Sequence, residues 1–261
     1  MAKDQTVIFH STVFGPIKSR RLGTSLGVNL SPDDGKVCSF DCIYCEAGYN
    51  AQGTGTTGLP MREKVAHDLE KKLHAMKEAG QTLDVITFSG NGEPTLNPDF
   101  PAIVEDTIAL RDRFFPDAKV SVLSNSTRLD NPDVCAALRK VDNNILKLDS
   151  AIDSTMRLID APTSALFTTE KVIEQLKQFS GQAIIQTMML RGEHDGRKVD
   201  NTTPEEINAL IEAYKAISPK EVMLYSLDRS TPEEKLIKVE KPELEAIADK
   251  IRSAGIPVQV N

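Results

Sequence analysis

The chain has 261 residues, of which 40% are hydrophobic and 26% charged, enough apolar sequence for the core of one large α/β domain or two small ones, of which one domain is the simpler interpretation. Its 31 basic and 38 acidic side chains give a net charge of −7, which excludes binding of nucleic acid by overall charge alone. The sequence has neither an apolar run of about 18 residues nor a signal-like N-terminus, so we expect a cytoplasmic protein without membrane spans.

Short apolar segments rich in β-branched residues alternate with longer amphipathic segments along the chain. The apolar segments predict six strands, at residues 26–30, 83–89, 119–125, 144–150, 182–190 and 221–227. The amphipathic segments predict helices, because apolar side chains recur at i, i+3 and i+4, as at Val65, Leu69, Leu73 and Met76. Such alternation forms parallel sheets through right-handed crossovers, so we expect a doubly wound sheet or a barrel of fewer than eight units.

Two helix boundaries carry recognisable signals. Thr203, Pro204 and Glu206 supply an N-cap, a first-turn proline and a capping-box glutamate for the helix before the sixth strand. Gly255 is suited to end the last helix in a left-handed conformation.

Every unusual polar cluster of the sequence follows a predicted strand. The clusters are the cysteine loop 38–45, Gly90-Asn91-Gly92-Glu93, residues 124–127, Asp149-Ser150 and Asp228-Arg229. In parallel α/β folds the ligand site lies at the carboxyl ends of the strands, so these clusters are the candidate site.

Three of the four cysteines, Cys38, Cys42 and Cys45, lie within eight residues. In a cytosolic chain, such cysteines are more often metal ligands or free thiols than disulfide partners. A cubane iron-sulfur cluster takes soft thiolate ligands on separate irons, and three ligands leave its fourth iron open. A structural zinc site is the alternative, but no second CxxC or HxxxH pair completes it. Cys135 lies in an apolar helical stretch and is predicted to be a small buried hydrophobe.

The CxxxCxxC spacing, with Tyr44 before the third cysteine, resembles the radical S-adenosylmethionine superfamily. The resemblance extends to residues 15–27, to 89–96 after the second strand and to 225–233 after the sixth, segments similar to the iron-sulfur oxidoreductases labelled wybutosine-related. It implies an α/β fold, a partial (β/α)6 barrel of parallel strands with one open side. It also implies one domain over residues 1–261, with a short C-terminal extension after about residue 228.

The resemblance implies two cofactors. Cys38, Cys42 and Cys45 would ligate a 4Fe-4S cluster whose fourth iron chelates the amino and carboxylate groups of S-adenosylmethionine. Tyr44 would lie beside the adenine of that cofactor.

The segment after the second strand corresponds to the GGE element of the superfamily. Glu93 and the backbone at Gly90 and Gly92 would receive the methionyl ammonium, while Asn91 departs from the plain GGE pattern. An ordinary strand-to-helix turn explains the glycines but does not explain Glu93.

Four further residues match positions that contact the cofactor's carboxylate and ribose in the superfamily: Ser124, Asn125, Asp149 and Ser150. For Ser124 and Asn125 a polar turn is an equal alternative. For Asp149 the alternative is an ion pair with Lys147 on the same face of the strand.

The function implied is that of a radical S-adenosylmethionine enzyme. An external donor such as flavodoxin or ferredoxin would reduce the cluster, and cleavage of the cofactor would generate a 5′-deoxyadenosyl radical. The substrate would be an RNA base, as in tRNA, or a small molecule, although the negative net charge argues against tRNA. Two alternatives stay open: an activase that places a glycyl radical on a partner protein, and a non-catalytic electron carrier or iron-sulfur sensor.

Several other polar residues permit two readings. Arg20 and Arg21 fit an anionic ligand or a solvated charge pair, and Tyr225, Asp228 and Arg229 fit a substrate contact or a loop ion pair. The histidines are all predicted at the surface: His10, His67, His74 and His194. The glycine-rich segment 53–58 lacks the lysine of a phosphate-binding loop, which excludes a nucleotide triphosphatase.

Overall fold

The structure is a computed structural model that describes residues 7–19, 23–229 and 231–261, so Arg20 and Arg21 lie outside the described residues. Its strands are β1 (Val13–Ser19), β2 (Gly23–Val28), β3 (Val85–Phe88), β4 (Lys119–Ser124), β5 (Asn143–Lys147), β6 (Ile184–His194), β7 (Arg197–Asp200), β8 (Glu221–Ser226), β9 (Leu236–Lys238) and β10 (Val258–Val260). Its helices are α1 (Arg62–Glu78), α2 (Phe100–Phe114), α3 (Pro132–Leu138), α4 (Asp153–Asp160), α5 (Thr169–Leu176), α6 (Pro204–Ile217) and α7 (Lys241–Ser253).

The central sheet is parallel, in the order β2-β3-β4-β5-β6-β8-β10, and β1 is antiparallel to β2 at one edge. All six predicted strands are present in it, with bounds that shift by no more than four residues. The neighbours follow chain order without the reversal that defines a doubly wound sheet. The parallel α/β fold is therefore confirmed, and its strand order is that of a partial barrel.

The two faces of the sheet have different surroundings. The outer face packs against the apolar sides of six helices, so that Val65 and Leu69 of α1 belong to the same apolar cluster as Leu26 and Ile86 of the sheet. The inner face carries a small separate apolar layer formed by Ile145, Ile184 and Met223. Because the helices cover one face, the inner face is free to line the interior of a barrel.

Four strands were not predicted: β1, β7, β9 and β10. β6 continues four residues beyond its predicted end, and this extension pairs antiparallel with β7 and β9. The end of β6 (residues 190–194), β7 and β9 form a small three-stranded ribbon, here called the flap. β10 adds a further parallel strand beside β8.

The predicted helix boundaries are only partly correct. The Thr203 side chain accepts a hydrogen bond from Glu206 N at 3.3 Å, with Pro204 in the first turn, and Gly255 follows α7 at φ +83°. The capping-box prediction for Glu206 is wrong, because its carboxylate accepts instead from Ser150 Oγ at 2.7 Å. No helix in the described ranges is long and apolar enough to cross a membrane.

Candidate active site

The cysteine loop, residues 38–45, lies between β2 and α1 and closes as a tight turn. Cys45 N donates to Cys42 O at 3.0 Å, and Ile43 N donates to Ile159 O at 3.0 Å, which fixes the loop to the end of α4. Cys42 is buried, Cys38 and Cys45 are half-buried, and all three thiols are free. The loop therefore presents three sulfurs from one short segment.

Lys36, two residues before the loop, makes polar contacts with the loop and with the segment that follows it. Its ammonium is almost fully buried, donates to Gly48 O at 2.7 Å and lies 3.3 Å from Asp41 Oδ1. Asp41 Oδ1 also accepts from Asn50 N at 2.7 Å. The bond from Lys36 to Gly48 O therefore connects the segments before and after the loop, a contact that the sequence did not indicate.

Burial raises the pKa of two of the three thiols, those of Cys38 and Cys42. Burial, followed by the negative charge of Glu93, raises the pKa of the Cys38 thiol to about 11. Burial raises the pKa of Cys42 well above its ordinary range. A metal bound through these two sulfurs would therefore have to displace protons from the thiols.

The arrangement of ligands does not suit a single ion. Among the described residues, no three histidine, cysteine, aspartate or glutamate side chains converge on a point that one metal ion would occupy. A tetrahedral zinc site needs such convergence, whereas an iron-sulfur cluster takes each thiolate on a separate iron.

Glu93 is the central acceptor beside the loop, at the carboxyl end of β3. Its Oε1 accepts from Thr95 N at 3.0 Å, from Thr95 Oγ1 at 2.5 Å and from Ser124 Oγ at 2.9 Å. Its Oε2 accepts from Asn125 N at 2.6 Å. Burial raises the pKa of Glu93, although these hydrogen bonds oppose it. Glu93 therefore links β3 to β4 and keeps acceptor capacity on Oε2.

The residues preceding Glu93 explain the GNG sequence. A Cβ at Gly92 would lie 1.9 Å from Val37 O, so only glycine allows this segment to approach the cysteine loop. Asn91 is fully buried and holds residues 9 and 32, with Nδ2 donating to Phe9 O at 2.9 Å and to Pro32 O at 2.8 Å. Asn91, the residue that departs from the GGE pattern, thus anchors the N-terminal segment at Phe9.

A buried group of polar side chains lies between the cysteine loop and β5. Tyr44 donates to Asp149 Oδ2, Lys147 Nζ lies 3.2 Å from the same oxygen, and Met188 N donates to Asp149 Oδ1 at 2.8 Å. Lys147 Nζ also contacts the Tyr44 hydroxyl and lies 4.7 Å from the centre of its ring. The ion pair considered for Asp149, with Lys147, is therefore present. Tyr44, the residue expected beside adenine, donates a hydrogen bond to the same carboxylate.

Asp160, the last residue of α4, joins this group and was missed. Cys42 Sγ donates to Asp160 Oδ1 at 3.4 Å, and the residue is 1% exposed. Burial, with the neighbouring charge of Asp149, raises the pKa of Asp160 well above its usual range. The residue lies 115 positions after Cys45 and has no local motif, so only the three-dimensional structure reveals it.

The remaining predicted residues lie at differing distances from the loop. Ser150 is fully buried with its hydroxyl on Glu206, towards α6 rather than towards the cysteines. Arg229 Nη1 lies 2.6 Å from Glu46 Oε2, next to the loop, and Asp228 Oδ1 lies 3.7 Å from Lys238 Nζ. Tyr225 packs against the apolar cluster that contains the cysteine loop.

The histidine predictions hold for three of the four residues. His10, His67 and His74 are exposed. The prediction of a surface position is wrong for His194, whose side chain is only 17% exposed. Its Nδ1 lies 3.2 Å from Glu233 Oε1. The flap strand β6 carries it to this position. Cys135 is buried in α3 as predicted, and its thiol donates to Leu129 O at 3.3 Å.

Comparison with known sequences matches residues 34–197, well over half of the chain, to the family model of the radical SAM superfamily. A protein of Brachyspira hyodysenteriae named GTPase Obg is 29% identical over 255 residues, which cover 95% of this chain and 34% of that protein. A UPF0026 protein of Helicobacter pylori strain J99 is 30% identical over 233 residues, 88% of this chain and 69% of that protein. The chain therefore spans about a third of the first relative and about two thirds of the second.

Comparison with solved structures shows the same fold. A radical SAM methyltransferase from Sphaerobacter thermophilus superposes with a TM-score of 0.68 at 16% identity, over 91% of this chain and 65% of that chain. TYW1 with a lysine-pyruvate adduct bound superposes with a TM-score of 0.60 at 16% identity, over 89% of this chain and 75% of that one. At this identity the likeness concerns the fold alone.

Proposed function

Because the chain belongs to the radical SAM superfamily, we propose that it cleaves S-adenosylmethionine reductively at a 4Fe-4S cluster and directs the resulting radical to a substrate. The observation that carries the proposal is the meeting of three free thiols with Glu93 at the carboxyl ends of the parallel strands. Ligand sites of parallel α/β folds lie at this edge.

Each residue has a defined part in the proposal. Cys38, Cys42 and Cys45 hold the cluster, and Glu93 Oε2, which has a single donor, accepts the methionyl ammonium. When bound, the cluster and S-adenosylmethionine supply one-electron cleavage of the S–C5′ bond, which gives methionine and a 5′-deoxyadenosyl radical. The apolar side chains around the cysteine loop exclude water from this space.

The other predicted contacts are assigned more specifically than the sequence allowed. Tyr44 and Asp149 already pair with one another, so we assign them to the adenosine side of the cofactor as one unit. Ser124 acts through Glu93, since its hydroxyl is bound to Oε1. Gly92 brings the backbone close to Val37 beside the loop, whereas Gly90 makes room for the Asn29 side chain. Ser150 contributes through α6, where Glu206 holds its hydroxyl.

The proposal requires an external one-electron donor such as flavodoxin or ferredoxin, because each cleavage consumes one electron. For the substrate we propose an RNA base or a small molecule. The net charge of −7 does not favour long-range attraction of RNA, so an RNA substrate would need local contacts at the barrel mouth.

Electron paramagnetic resonance of the reduced, reconstituted protein tests the cofactor site. We expect S-adenosylmethionine to change the spectrum of the wild-type cluster, because it binds the open iron. Cys42→Ala should lose the cluster, whereas Cys135→Ala, which removes a buried thiol outside the loop, should keep it. A fully loaded cluster whose spectrum ignores S-adenosylmethionine would instead support an electron carrier or sensor. A glycyl doublet that appears only with a partner protein would support an activase.

A further inference from the structure

The side chain of Asn125 is held in one orientation at the end of β4. Its Oδ1 accepts from Thr127 N at 3.1 Å and from Thr127 Oγ1 at 2.8 Å. Since an amide has its acceptor and its donors on opposite sides, the NH2 group must point the other way. It points at the cysteine loop, where Nδ2 lies 3.0 Å from Ser39 Oγ and 3.6 Å from Cys38 Sγ.

The backbone of Asn125 is fixed as firmly as its side chain. Asn125 N donates to Glu93 Oε2 at 2.6 Å, and the residue is 6% exposed. Water therefore has little access to compete for the sulfur. The amide is a neutral donor at every pH at which the protein is folded, so its contact with Cys38 does not depend on a protonation state.

We propose that Asn125 sets the reduction potential of the cluster by donating an N–H hydrogen bond to the sulfur of Cys38. Hydrogen bonds to ligand sulfurs and other contacts behind the ligands tune cluster potentials. A donor stabilises negative charge on the thiolate, which increases when the cluster takes up an electron. The contact therefore favours the reduced cluster. Asn125 acts through Cys38 and is a positioning residue.

This assignment rests on the proposed cluster site but differs from the cofactor contact implied by resemblance. The Asn125 side chain is already engaged on both sides, by Thr127 and by the cysteine loop. Its removal should consequently move the potential of the cluster even when S-adenosylmethionine is absent. A residue that only contacts the cofactor would leave that potential unchanged.

Redox titration of the reconstituted protein without S-adenosylmethionine tests the proposal. The reduced cluster is measured at each potential by electron paramagnetic resonance. We expect Asn125→Leu to lower the ratio of reduced to oxidised cluster about tenfold at a fixed potential, which is about 59 mV for one electron. Asn125→Asp keeps the side-chain shape but turns an acceptor towards the sulfur, and should lower the ratio further. Asn144→Leu is the matched control, since it removes a buried amide of β5 that has no hydrogen-bond partner among the described residues.

Unchanged potentials in Asn125 variants with full iron content would overturn the proposal. If neither variant holds the cluster, resonance Raman spectroscopy of the wild-type protein tests the hydrogen bond instead. The bands of the iron-cysteine bonds should shift between H2O and D2O. Bands that do not shift would contradict the hydrogen bond. Failure of the wild type to bind any cluster would reject the proposed function itself, which separates the two failures.

Discussion

Glu93 has four donors divided unevenly between its two oxygens, three on Oε1 and one on Oε2. A carboxylate offers about four lone-pair positions. The crowding of Oε1 makes it a structural acceptor that fixes β3 against β4, while Oε2 is left to receive a ligand. One side chain thus contributes both to the fold and to the proposed cofactor site, and the two contributions are measurable separately.

Replacing Glu93 by glutamine should affect both contributions. One oxygen becomes an NH2 group that must face a donor, so we expect the free energy of unfolding to fall by about 1 to 3 kcal/mol. Loss of the charge should raise the Kd of S-adenosylmethionine for the loaded protein at least about tenfold, since a hydrogen bond to a charged group contributes about 1.5 to 3 kcal/mol. Denaturant unfolding and calorimetric titration measure these changes.

The control for Glu93→Gln is Glu105→Gln, which alters a carboxylate on the outer surface of α2 in an exposed pair with Lys140. It should change neither quantity appreciably. An unchanged Kd in a folded Glu93→Gln protein would mean that this carboxylate does not contact the cofactor.

Lys147 neutralises a fully buried carboxylate, that of Asp149, and is itself only 14% exposed. Burial opposes its charge, but Asp149 raises the pKa of Lys147 well above its ordinary range. Lys147→Met would leave Asp149 without its cation, and we expect the free energy of unfolding to fall by about 3 to 5 kcal/mol. Lys140→Met, at a surface pair, should have little effect. Equal effects of the two substitutions in thermal unfolding would contradict the account of this buried group.

The strands differ from one another in how well the sequence predicts them. The six predicted strands are buried on both sides or nearly so, and their apolar β-branched runs are visible in the sequence alone. β7, β9 and β10 have three or four residues each and carry polar side chains. Their pairing with β6 or β8 depends on contacts distant in sequence, so no local pattern indicates them.

The junction of α2, β4 and β5 contains a pH-dependent link. Asp142 Oδ2 accepts from Val120 N at 2.8 Å and from Arg111 Nη1 at 2.9 Å. Burial alone would raise the pKa of Asp142, but these hydrogen bonds outweigh it and lower the pKa. A group whose pKa is lower in the folded state stabilises the protein above its unfolded-state value, about 3.9, and loses this effect as the pH falls through its folded-state pKa.

Asp142→Asn should therefore destabilise the protein at neutral pH but not in acid. The side chain is 32% exposed, so screening limits the expected loss to about 1 kcal/mol at pH 7. Denaturant unfolding of both proteins from pH 7 down to about pH 3 measures the difference. A difference that persists undiminished in acid would show that packing, and not the ionised carboxylate, accounts for it.

For the molecule as a whole, the sequence predicts the chemical centre better than its surroundings. The three cysteines stand out by their spacing, and Glu93 is expected only from the resemblance of residues 90–93 to the GGE element; the structure links Glu93 to the loop through Asn125. Asp160 has no signal in the sequence, because it reaches Cys42 only through the packing of α4. The orientation of Asn125 likewise follows from contacts with Thr127 that a sequence does not specify.

Radical cleavage of S-adenosylmethionine at the loop of Cys38, Cys42 and Cys45 is the proposed activity of the protein. Its most direct test is anaerobic reconstitution and dithionite reduction with S-adenosylmethionine, followed by chromatographic measurement of 5′-deoxyadenosine. Wild type and Cys135→Ala should form 5′-deoxyadenosine, slowly because substrate is absent, and Cys42→Ala should form none. A wild-type protein with a full cluster that forms no 5′-deoxyadenosine, or a Cys42→Ala protein that forms as much as wild type, would contradict the claim.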